Sequence, residues 1–406
     1  MLNSIPTTSI HKLLQNVIGI SFCLIPIAYI FSRAFLLTLV YIAITAWILV
    51  KILNKKFALP RTPFNLALLI IFGALLLSII FGSSFGEGLR GLNKWIRGYL
   101  IFWMSFDVLQ DKTLEDKFKT AFLSAFLVAT LDGVFQYFVG RDLLRKFALG
   151  FVNGDIPRVT SSFGYFGMYA SFLIMTFPVV CSKIVTKSKK IDWILFIEIF
   201  FLGFLNLYWT RARGAWLSFA AMVLLFFIFS KKWKVFILII LSLCLSLFIL
   251  PSRILLHHAR ANGIDQTIGE RFEFWNQAIN IIKARSVTGT GLNTYVQNIE
   301  KYNPGVTGQV NNYYAHNGYL QYTAETGLIG LFALMWFLAR YFHLAYIKWR
   351  DGFLSFDSKM LVLSVSGFLF YVFFDTIFHN LQPFLLFWLF LGWSVGKLER
   401  SREAIS

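Results

Sequence analysis

A chain of 406 residues that is 57% apolar and only 14% charged holds more hydrophobic material than a water-soluble core of this size can bury, since soluble domains carry about 25% charged residues. A soluble globular enzyme is thereby excluded, and an all-α, polytopic membrane protein is expected. The net charge of +18 does not point to nucleic acid, because most of it is lysine in short connections between apolar runs. Cys23, Cys181 and Cys244 each sit inside such a run, where cysteine acts as a small hydrophobe and forms no disulfide framework.

Twelve runs approach the roughly 20 residues that a helix needs to cross a bilayer. They cover 14–32, 34–52, 64–82, 92–110, 119–139, 164–185, 191–209, 214–230, 233–250, 317–340, 359–377 and 380–397. The first lacks a small-residue cleavage site and reads as a span, not a leader. One large polar segment, 251–316, separates the ninth and tenth runs, and the whole of 1–406 reads as a single transmembrane domain. Basic residues in short loops place both termini inside and the large loop outside. On the inner side stand 17 lysines and 5 arginines, on the outer side 4 lysines and 12 arginines. An ammonium suffices as an anchor against anionic lipid, whereas a guanidinium is a planar fork that grips phosphate oxygens in pairs. Outer arginines therefore suggest a phosphate-bearing ligand, or else side chains that snorkel to headgroups.

The outer-face motifs follow in chain order. In "PRVTSSFGYFG", Arg158 precedes the sixth run beside small residues, in a position to help bind a ligand. Arg90, Lys94 and Arg97 are expected at headgroup level. In "YWTRARGAWL", Arg211 and Arg213 stand where two apolar runs meet; a hairpin needs a turn but not two arginines, so the pair reads as an anion clamp or as two snorkelling chains. In "GERFEFWNQAINIIKAR", Ile268, Phe272, Trp275, Ile279 and Ile282 recur at helical spacing and predict an amphipathic helix. Arg271 falls on its buried edge, as a ligand contact or as the partner of Glu270 or Glu273. "VTGTGLNTY" reads as a plain loop.

In "NNYYAHNGYLQYTAETGLIG", His316 opens the tenth run at the outer surface, where a side chain with an unperturbed pKa near 6.5 can exchange protons. Glu325, nine residues on, falls about 180° round the helix and so cannot orient His316 within it; its expected role is a buried hydrogen bond between helices. The acids Asp132, Glu198, Glu325 and Asp375 fall within runs but are scattered. His257 and His258 are adjacent, which is poor geometry for one metal, and no other ligand pattern is present.

"TRARGAW", "ERFEFW", "TGTGLNTY" and "AHNGYLQYTAETGLIG" together resemble the bacterial O-antigen ligase and polymerase superfamily. The resemblance spans the topology of the whole chain, but its motifs lie within 208–330. It departs where Ala212 replaces the serine usual before the clamp arginine. It implies a glycan donor on undecaprenyl pyrophosphate and, in ligases, a lipid A–core hydroxyl as acceptor, with no cofactor and no metal. His316 would be the general base, and Arg213 and Arg271 would hold the pyrophosphate, with Arg211 and Arg158 in support. A polymerase or a protein O-glycan ligase of the same superfamily remains open. A transporter or flippase would instead predict intramembrane charges and paired broken helices.

Overall fold

The computed structural model describes residues 7–54, 58–152, 156–185, 190–230, 264–304 and 314–400. The expected ninth span, 233–250, and His257, His258 and Tyr313 lie outside these residues. Helices dominate, and local chemistry sets their ends. Asp111 starts the helix Lys112–Val139 by accepting from the amides of Thr113 and Leu114, and Gly140 ends it in the left-handed conformation. Asn317 caps Gly318–Arg350, its side-chain oxygen accepting from the amides of Tyr319 and Leu320. The His-Asn pair of the sequence is thus a left-handed residue followed by a helix cap.

Among the described residues, six helices are long and apolar enough to cross a membrane: Ser9–Phe31, Arg33–Leu53, Lys112–Val139, Phe166–Ile184, Gly318–Arg350 and Leu381–Arg400. Asn65–Ile80, Ile194–Trp209 and Arg213–Phe229 are apolar but shorter. Two expected spans come out differently. The run 92–110 belongs to Phe85–Val108, whose first half carries Glu87, Arg90, Lys94 and Arg97. The run 359–377 is the helix Phe356–Val372, which stops before Asp375. The fold is an all-α, multi-pass membrane protein.

Two helices form its centre. Phe166–Ile184 and Leu381–Arg400 have 94% and 89% of their apolar windows buried, against 39–44% for the other four long helices. Trp388, Trp393, Phe384, Phe387 and Phe390 anchor the core from the second of these, and the outer helices keep one face for lipid. The helices run between two ends. One end gathers the lysines in ion pairs: Lys51–Asp107 at 2.7 Å, Lys119–Asp357 at 2.5 Å, Lys183–Asp116 at 2.5 Å and Lys397–Glu115 at 2.6 Å.

The other end carries a short hairpin, Gly150–Val152 paired antiparallel with Ile156–Arg158, and a cap made of the helices Ile264–Ala284 and Tyr295–Tyr302. The cap has its own small core of Ala278, Ile281, Tyr295, Ile299, Ala315 and Ala324. In Ile264–Ala284 the buried face runs through Phe274, Ala278 and Ile281, while Phe272 is exposed. The stripe expected through Phe272 and Ile279 is therefore rotated toward Phe274, Ala278 and Ile281, with Phe274 and not Phe272 as its buried aromatic. Arg271 still falls at the edge of the buried face.

The helix Gly318–Arg350 is broken at Gly327, whose φ of 68° and ψ of −174° belong to a region essentially restricted to glycine. The loop 286–291 repairs the break. Leu328 and Ile329 donate to the carbonyls of Ser286 and Val287, and Thr290 and Gly291 donate to those of Ala324 and Glu325. A Cβ on Gly327 would sit 2.1 Å from the Val287 carbonyl oxygen, and one on Gly289 would sit 2.3 Å from that of Glu325. The "TGTG" loop is thus a built contact and not a plain connection.

Candidate functional site

Asp375 lies in the turn between Phe356–Val372 and Leu381–Arg400 and is 5% exposed. Its carboxylate accepts from the Tyr165 hydroxyl at 3.2 Å, the Tyr371 hydroxyl at 3.4 Å and the Thr376 amide at 2.8 Å. These contacts fix its orientation. His316 presents Nδ1 to it at 3.6 Å, with the side chain 28% exposed. A carboxylate beside Nδ1 favours the tautomer that leaves Nε2 free to accept a proton, and it stabilises the imidazolium once formed.

The backbone of His316 has a φ of 47°, an uncommon conformation for a residue with a side chain, and such strain concentrates at functional sites. The surroundings hold it. Phe274 of the cap packs on the imidazole at 5.4 Å between ring centres. Two residues earlier, the Tyr314 hydroxyl is 2.8 Å from Nε2 of His379. Burial presses His379 down to a pKa of about 4, with Lys94 adding to the effect, so this second histidine is neutral at physiological pH. Lys94, expected at headgroup level, is instead half-buried and donates to the carbonyls of Phe378 and His379 at 3.2 and 3.4 Å. It fastens the turn that bears Asp375.

Arginines converge on the same place. Arg158 stacks on Phe166 at 3.8 Å, and its Nε is buried with no acceptor among the described residues. Burial lowers its pKa and Arg213 lowers it further, while Tyr165, Tyr371 and Asp375 act in the opposite sense. Arg213, in the first turn of its helix, is thus within electrostatic reach of Arg158. Arg271 likewise acts on the hydroxyls of Tyr165 and Tyr371. One turn along the cap helix, Trp275 contacts Phe373 and holds a buried indole N–H without an acceptor. None of the three arginines forms an ion pair among the described residues, and Arg271 is not bridged to Glu270 or Glu273. Buried donors without acceptors beside unpaired guanidinia make a site for an anion.

The structure brings Arg158, Arg213, Arg271 and His316 together and leaves Arg211 aside. Arg211 has a φ of 55°, stacks on Tyr208 at 4.5 Å and donates from Nε to the Pro157 carbonyl at 3.4 Å, so it ties the hairpin to the turn before Arg213. Gly214 is needed for packing, since a Cβ there would meet Phe374 at 2.3 Å. Glu325 makes the buried hydrogen bond between helices that the sequence led us to expect. It accepts from the amides of Asn293 and Tyr295 at 2.9 and 3.3 Å and so caps the second helix of the cap.

An open apolar groove of about 500 Å³ adjoins the site. Leu225, Tyr319, Phe342, Ser366, Leu369, Phe370, Phe373 and Phe374 line it. Its last two residues directly precede Asp375.

Residues 199–335 match the family model described as O-Antigen ligase. The O-antigen ligase match takes in Arg211, Arg213, Arg271 and His316 and supports the family resemblance read from the sequence. It ends before Asp375 and begins after Arg158, so the structure adds both to the site. No curated protein matches the chain.

Proposed function

We propose that this protein transfers a glycan from undecaprenyl pyrophosphate to a sugar hydroxyl of lipid A–core at the periplasmic face of the inner membrane, with inversion at the anomeric carbon. The observation that carries the proposal is His316 held beside Asp375 where Arg158, Arg213 and Arg271 meet without ion-pair partners among the described residues. The acceptor hydroxyl loses its proton to Nε2 of His316 as its oxygen attacks the anomeric carbon. The bond from that carbon to the phosphate oxygen breaks, and the guanidinia stabilise the charge on the departing undecaprenyl pyrophosphate. Its isoprenoid chain would lie in the apolar groove, which ends at the site. No step calls for a metal ion or a nucleotide, because the bond to pyrophosphate carries the driving force.

A polymerase of the same superfamily would use the same groups on a lipid-linked acceptor. Transport fits less well. Asp132 binds the Leu143 amide and the Ser161 hydroxyl, Glu325 caps a cap helix, and Glu198 is exposed on its helix, so these acids do not form a path.

Reconstitution decides between the readings. Purified protein is mixed with lipid-pyrophosphate glycan and lipid A–core in the presence of a chelator. Glycan on the core is the expected result, lengthened lipid-linked glycan would make it a polymerase, and neither product would overturn the proposal. Sidedness is tested at Lys301, an exposed cap residue: Lys301→Cys should react with an impermeant thiol reagent from the periplasm. Labelling only after the inner membrane is permeabilised would reverse the orientation.

A further inference from the structure

Residues 140–152 and 156–158 belong to a latched hairpin at the arginine end. From beneath, Asp132 accepts from the Leu143 amide at 2.7 Å, and Gln136 donates to the carbonyl of Phe147 and accepts from the amides of Thr160 and Ser161. Asp142 is buried and accepts from the amides of Arg145 and Phe147. Its carboxylate is thereby occupied with the backbone, and Arg141, Arg145 and Lys146 form no ion pair among the described residues. The outward side combines two kinds of residue. Leu143 and Phe151 are exposed at 53% and 56%, and Arg141, Arg145 and Lys146 are exposed among them.

The preceding span shows what covers this face. Val128, Leu131, Phe135 and Phe138 of Lys112–Val139 are exposed at spacings of three and four residues, a lipid-facing stripe. The hairpin starts one residue after that span ends, at Gly140. Its apolar tips therefore meet the membrane at the level where acyl chains give way to headgroups, and its cations meet phosphates.

We propose that residues 140–152 are a seat for anionic phospholipid headgroups of the adjoining leaflet, with Leu143 and Phe151 dipping among the chains and Arg141 and Lys146 collecting the phosphates. Each basic residue near a charged bilayer surface contributes about 1 kcal/mol, enough to enrich anionic lipid severalfold around the hairpin. This surface is independent of the transfer chemistry. It adjoins the site through Arg158 at the hairpin's end and through the Arg211 contact to Pro157.

The test places a fluorophore on Leu143→Cys in a chain whose other cysteines are serine, in nanodiscs. Phosphatidylglycerol or phosphatidylcholine, brominated high on its chains, is present at equal mole fraction. Quenching by the anionic lipid should exceed that by the zwitterionic lipid at least about twofold. Arg141→Gln with Lys146→Gln should bring the ratio to about one while quenching itself persists. Absence of quenching by either lipid would overturn the membrane seating. Equal quenching in the parent chain, or an excess unchanged in the double variant, would overturn the anionic selection by these residues.

Discussion

The two ends of the molecule use positive charge in opposite ways. At the lysine end, Lys51, Lys119, Lys183 and Lys397 each meet a carboxylate at 2.5–2.7 Å, and Glu115 also accepts from the indole of Trp393 at 3.1 Å. Charge there closes helix ends against one another. At the arginine end, Arg158, Arg213 and Arg271 stand together without ion-pair partners among the described residues, and the one carboxylate among them is engaged by His316, two tyrosines and an amide. Mutual repulsion of this kind does not stabilise a fold. It is tolerated where a ligand of opposite charge completes the set.

The sharpest way to break this comparison is to remove the base. His316→Ala should reduce turnover about 100-fold or more while binding of a lipid-pyrophosphate analogue to the purified protein changes little. Equal loss of both would make His316 a binding group.

Charge-conserving changes come next. Arg213→Lys and Arg271→Lys should each lower turnover about 10- to 100-fold with the fold intact, because the fork is lost though the charge stays. Arg211→Lys should cost far less, since its contacts are with Tyr208 and Pro157. Equal effects at all three positions would remove the distinction between clamp and tie.

On stability the order reverses. Lys397→Met strips a partner from buried Glu115 and should cost about 1–3 kcal/mol in a detergent thermal melt, whereas Arg213→Lys should leave the melt unchanged. At the break in Gly318–Arg350, Gly327→Ala forces a side chain into a glycine-only conformation against the Val287 carbonyl and should cost about 2–4 kcal/mol. The control is Gly73→Ala, mid-helix with nothing within 4 Å of the new methyl, where stability should hold or rise by up to about 1 kcal/mol.

These contrasts also explain what the sequence made legible. The spans and the sorting of lysine from arginine follow from composition along the chain, because a bilayer imposes length and polarity on each helix separately. Arg158, Arg213, Arg271 and His316 stood out because few residue types bind phosphate or move protons, and an apolar background isolates them. Asp375 did not stand out. "YVFFDTIF" contains no helix breaker, so the acid read as part of a span, and its pairing with a histidine 59 positions earlier is purely tertiary. The rotation of the Ile264–Ala284 stripe was hidden for a related reason: its buried aromatic is Phe274 and not Phe272, a choice that tertiary packing makes. The role of "TGTG" could not be read without the break at Gly327 that it repairs.

That break has a consequence for traffic through the site. The loop 286–291 makes four backbone hydrogen bonds to helix groups that a continuous helix would have paired with one another in two, and Ser83 adds a fifth to the loop by donating to Thr290 at 2.6 Å. Lifting the cap like a hatch would strand these groups at about 1–3 kcal/mol each, and would unwind the top of a membrane span in doing so. The cap is therefore stitched to the broken helix through its own backbone. Were the proposed lipid-linked donor the substrate, the apolar groove beside Phe373 and Phe374 would let it approach from the flank, with the roof left in place.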